Sequence, residues 1–72
     1  GTKLDLMVLK GGRKIGFEIK FSETPQMTRS MHIALDDLKL DHLYLIYKGS
    51  RELTLDEKVS AVPVSGLVDY TF

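Results

Sequence analysis

Gly11-Gly12, set in the middle of KLDLMVLKGGRKIGFEIKF (residues 3–21), constrains this chain more than any other feature. Paired glycines supply the positive φ of a tight hairpin turn, so the flanking apolar runs read as two antiparallel strands. Before the turn the apolar residues are Leu4, Leu6 and Val8, and after it they are Ile15, Phe17, Ile19 and Phe21. Directly opposed residues share a face, so an even number must meet an odd one. A two-residue loop satisfies this by placing Leu6 across from Phe17, Leu4 across from Ile19, and Asp5 across from Glu18. The last pair sets two like charges against each other, which destabilises unless something positive lies between them.

Downstream the period changes. Met27, Met31, Ala34, Leu35 and Leu38 form one helical stripe, with Arg29, His32, Asp36 and Lys39 away from it. This predicts one main helix near residues 28–39, capped by Thr28, with Thr24 followed by Pro25 as the other start. HLYLIYKG is apolar on both parities, as a central strand covered on both faces should be. Strand, helix and strand over residues 14–48 make a βαβ unit with parallel strands and a right-handed crossover. Residues 49–58 are polar and read as a loop. VSAVPV reads as a short strand near 59–63, placed at an edge because Pro63 cannot donate to a ladder. Ser65 is expected to cap a final turn, with Phe72 folding back on the core.

The expected fold class is therefore α/β in the sense of an α+β mixed sheet. It comprises an antiparallel hairpin, strands near 3–10 and 13–21, a parallel addition, one main helix and a short C-terminal turn. The apolar face of the hairpin is expected to pack on the helix. Its other face carries Lys3, Asp5, Met7, Lys14, Gly16, Glu18 and Lys20.

Seventy-two residues form one domain, residues 1–72, with a single small core. The chain opens on a strand without an initiator Met, so we expect a piece of a longer protein. Cysteine is absent, excluding disulfides and thiolate metal sites, and with no signal peptide this points to the cytoplasm. No apolar run approaches a membrane span. Net charge is zero, yet Lys3, Lys10, Arg13, Lys14 and Lys20 leave the hairpin locally basic, a patch that suits phosphate. Tyr44 and Tyr47 fall on opposite faces and make no stacking platform for bases. His32 and His42 lack a matched third ligand and read as structural residues.

On the hairpin's second face, Glu18 and Lys20 project together, with Asp5 across from Glu18. Asp5, Glu18 and the carbonyl of Ile19 could supply oxygen ligands to a hard ion such as magnesium. A lysine beside that ion could orient the attacking water or help deprotonate it. The bland alternative is a checkerboard of surface pairs, Asp5 with Lys20 and Lys3 with Glu18, each worth ~0.2 to 1 kcal/mol.

The order of a strand bearing Asp, a strand FEIKF bearing Glu-x-Lys, a helix and a further strand resembles the PD-(D/E)xK nuclease-like superfamily. More narrowly, LDLMVLKGGRKIGFEIKFSETPQMTRSMHIALDDLKLDHLYLIYKG, continuing through VSAVPVSGL, is similar to the C-terminal domain of unknown function of a bacterial and archaeal family of AAA-type ATPases. The resemblance implies Asp5 and Glu18 as metal ligands and Lys20 as the catalytic lysine. Leu4 stands where the superfamily's name has proline. That superfamily's core starts with a helix, often acidic, and a further strand, both expected upstream of Gly1 in the parent, so the site in this chain is expected to be incomplete. With no Walker motif here, ATP belongs to the upstream domain. Expected partners are that ATPase domain, DNA or RNA, or another protein paired through a sheet edge, with no membrane. A non-catalytic docking module is the alternative.

Overall fold

The computed structural model describes residues 4–70 and 72. Its elements are β1 (Leu6–Lys10), β2 (Arg13–Lys20), α1 (Arg29–Asp37), β3 (His42–Tyr47), β4 (Leu53–Asp56), β5 (Val59–Pro63) and a 3-10 segment (Val64–Asp69). The five strands form one sheet in the order β1-β2-β3-β5-β4. β2, β3 and β5 run parallel, with β1 and β4 antiparallel at the two edges. This is a mixed α+β domain.

The hairpin turns at Gly11 and Gly12 (φ 58° and 78°), as glycine pairs permit. Leu6 pairs with Phe17 and Val8 with Ile15, the register that parity demanded. β3 is the central strand, buried from Leu43 to Tyr47. The Thr28 hydroxyl accepts the Met31 N–H at 3.3 Å, fixing the helix start. At the other end Leu38 donates to the Ala34 carbonyl and Leu40 to the Leu35 carbonyl, while Lys39 takes the left-handed conformation that stops the helix. Phe72 does fold back, edge-on to Phe17 and Tyr44.

Several expectations are corrected. Residues 49–58 contain β4 rather than only loop: LTLD alternates, with Leu53 and Leu55 packed on the core and Thr54 and Asp56 exposed. Its ladder with β5 shifts register between Thr54 and Asp56. β5 is consequently interior, and Pro63 is tolerated because it is the strand's last residue, where the chain passes into the 3-10 segment. That segment begins after Pro63 with no side-chain cap, so Ser65 does not cap it. β1 begins at Leu6; the part of the expected strand at Lys3 lies outside the described residues.

The largest correction concerns the hairpin's faces. Gly16 and Glu18 lie beside Leu43 and Leu45 of β3, which pack with Met31 and Ala34 of α1. The helix therefore covers the face of Gly16 and Glu18, not that of Leu6, Val8 and Phe17. Gly16 makes this possible: a Cβ there would come within 2.8 Å of Leu40 Cδ1 and 3.0 Å of Leu4 Cδ1. The opposite face gathers Ile15, Tyr44, Ile46 and Val62 under Phe17, Leu67, Tyr70 and Phe72.

Candidate functional site

β2 carries Glu18, Ile19 and Lys20 at its C-terminal end, beside the start of α1, where open α/β sheets commonly place ligands. There the structure brings Asp5, Glu18, Ile19 and Lys20 together with Ser30 around one recess of about 220 Å³. All four residues singled out in the sequence share it. Ser30 was missed, although Thr28 as N-cap puts it in the first helical turn; its hydroxyl lies 3.1 Å from that of Thr28.

Asp5 does not enter the ladder as expected. Regular pairing ends at Leu6 and Phe17, and Asp5 forms a bend. Its backbone N–H donates to the Phe17 carbonyl at 3.1 Å, and its Oδ2 accepts the Ile19 N–H at 2.7 Å. The Asp5 carboxylate thus occupies the hydrogen-bonding slot that the carbonyl of Leu4 would fill in a continued ladder. Leu4 packs instead into the helix-side core against Gly16. Because an extended residue points its N–H and C=O the same way, the Ile19 carbonyl also faces the β1 side.

Glu18 supplies the sharpest observation. Its Oε2 is buried without a hydrogen-bond partner among the described residues. Such an atom is costly to desolvate and calls for a positive or donating partner. Both carboxylates and the Ile19 carbonyl are hard oxygen donors, the chemistry magnesium takes, with its remaining positions open to water or phosphate. Among the described residues no group of three His, Cys, Asp or Glu gathers, so protein ligands would come from this mixed set. The checkerboard's Lys3 contacts lie outside the described residues, and Asp5 Oδ2 is held by Ile19 rather than by Lys20.

Among the described residues the basic side chains of the hairpin do not form one patch. The Lys14 ammonium donates to the Leu38 carbonyl at 3.1 Å and its backbone N–H to Asp41 at 2.7 Å, tying the hairpin to the helix end. Lys20 stands at the opposite end of β2 from Arg13, roughly 20 Å away along an extended strand. His42 lies on the other face, its Nε2 2.8 Å from the Ser60 hydroxyl. Burial, then the nearby Arg13, lowers its pKa below the usual histidine value. Tyr70 donates to Glu52 at 2.7 Å; burial first, then this bond, raises its pKa.

A second concavity, apolar and about 640 Å³, runs along the uncovered face of the hairpin between Leu6, Val8, Phe17, Ile19, Leu67 and Phe72. Asp5 and Ile19 wall both this groove and the acidic recess. Every residue of β1 is exposed. Among the described residues no helix is long and apolar enough to cross a membrane.

Residues 1–67 match the model of a domain of unknown function, DUF4143. The chain is 44% identical over 67 residues, 93% of its own length, to the uncharacterized protein Rv2008c of Mycobacterium tuberculosis. The same identity and coverage relate it to the uncharacterized protein Mb2031c of Mycobacterium bovis. It spans about 15% of the length of each of these relatives. No solved structure matches the chain significantly.

Proposed function

This chain belongs to the DUF4143 family, and from that premise and the acidic recess we propose that it is a C-terminal accessory domain of an AAA-type ATPase with a PD-(D/E)xK-like site for magnesium and nucleic-acid phosphate. The observation that carries this reading is the buried, unpartnered Oε2 of Glu18 beside Asp5. Asp5, Glu18 and the Ile19 carbonyl would hold the ion. When bound, magnesium would lower the pKa of an attacking water and stabilise negative charge at phosphorus. Lys20, exposed at the mouth of the recess, would orient that water or assist its deprotonation, and would pair with a phosphate oxygen. On this reading the chain alone binds magnesium and phosphate rather than hydrolysing. ATP belongs to the remainder of the parent protein.

The test is magnesium titration followed by amide NMR, then short DNA at low salt. Shifts confined to Asp5, Glu18, Ile19 and Lys20, with DNA affinity falling steeply as salt rises, support the reading. Unchanged spectra with both ligands would reject it for this domain.

A second reading rests on β1, whose exposed apolar residues and free edge fit strand addition by the parent's neighbouring domain or another protein. Val8→Lys should then abolish association with the remainder of the parent supplied in trans, while leaving the magnesium response intact. Retained association would exclude the β1 edge.

A further inference from the structure

The bond between Asp5 and Ile19 has a second possible arrangement, and the acidic recess decides between the two. In the structure the ladder stops at Leu6 and Phe17, Leu4 is packed among helix-side residues, and the Asp5 carboxylate satisfies the Ile19 N–H. Continuing the same register by two residues would pair Leu4 with Ile19, letting the Leu4 carbonyl accept that N–H, and would set Asp5 directly opposite Glu18. Leu4 would then turn to the apolar groove beside Leu6 and Ile19, which already wall it.

Neither arrangement leaves the Ile19 N–H without an acceptor, so the choice turns on two smaller terms. Opposed carboxylates repel, which favours the bent form when nothing positive lies between them. A divalent cation reverses this sign, because it binds the paired carboxylates better than a single one already engaged by an amide. We infer that divalent-cation binding at Asp5 and Glu18 is coupled to a two-residue extension of the β1–β2 ladder, with Leu4 leaving the helix-side core for the apolar groove. This rests on the magnesium reading above and adds its conformational consequence: site and groove share one switching segment, Leu4–Asp5.

Side-chain and backbone NMR of the whole chain, with and without millimolar magnesium, tests it. The metal-free protein should show contacts between the Leu4 methyls and Gly16. Magnesium should remove these and produce a close Hα–Hα contact between Asp5 and Glu18, the mark of a pair not bonded to each other in an antiparallel ladder. Glu18→Gln removes the repulsion together with a ligand, so its metal-free form should show weaker Leu4–Gly16 contacts than the unsubstituted chain, and magnesium should no longer alter them. If magnesium shifts Glu18 and Ile19 while the Leu4–Gly16 contacts persist, the coupling is wrong and the metal site stands. If magnesium changes nothing, both are wrong.

Discussion

β1 and β3 are both short apolar strands, LMVLK and HLYLIY, yet every residue of one is exposed and five of the six in the other are buried. Their compositions do not account for this. β3 lies third of five in the sheet, with α1 on one face and the Tyr70–Phe72 aromatic cluster on the other. β1 lies at the edge, and among the described residues it pairs on one side alone and the groove face it shares with β2 is covered only where Leu67 and Phe72 reach it. Position in the sheet, rather than hydropathy, sets what each side chain contributes.

The greatest test of that comparison is truncation. Leu45→Ala, at a residue 1% exposed, should lower unfolding stability by about 2 to 5 kcal/mol in urea titrations. Leu9→Ala, at a residue 70% exposed, should cost no more than about 0.5 kcal/mol. Equal losses would mean that β1 is covered in solution. Next in size, Thr28→Ala removes the acceptor for the Met31 N–H and should cost about 1 kcal/mol, read by the same titration.

A smaller effect should appear with pH on the face opposite the helix. His42 ionises below its ordinary 6.5 in the folded protein, chiefly through burial and then through Arg13, although Glu52 acts the other way. The unfolded chain therefore takes the proton first. Its contribution to stability is present above the unfolded pKa and is lost as pH falls through the folded value. Urea midpoints measured downward from neutral pH should decline through this window, and His42→Gln should flatten that part of the decline. The smallest change concerns the recess: Asp5→Asn keeps an oxygen to accept the Ile19 N–H while removing one of two neighbouring negative charges. Metal-free stability should stay level or rise by roughly 0.2 to 1 kcal/mol, and any stabilisation by magnesium should vanish. A loss of stability with indifference to magnesium would instead favour a structural role for Asp5.

By itself the sequence determined the local order of this protein. Paired glycines and alternating apolar residues dictated the hairpin and its register, Thr28 and the Met31–Ala34 stripe dictated the helix, and the doubly apolar HLYLIY dictated a central strand. Asp5, Glu18, Ile19 and Lys20 of the recess were legible too, because Glu18 and Lys20 share a strand face by periodicity alone and the hairpin brings Asp5 to them, whereas Ser30 was not. Only tertiary structure decided which face the helix would cover. Both faces of β2 carried plausible candidates, and the decision fell to the space above Gly16, which a local pattern cannot register. Tertiary pairing likewise made β4 a strand despite its polar surroundings and moved β5 inward, since strand order depends on contacts between distant residues. The bend at Asp5 belongs to the same class: whether a carboxylate or a backbone carbonyl accepts the Ile19 N–H depends on what Leu4, Asp5 and Glu18 meet from elements distant in the chain.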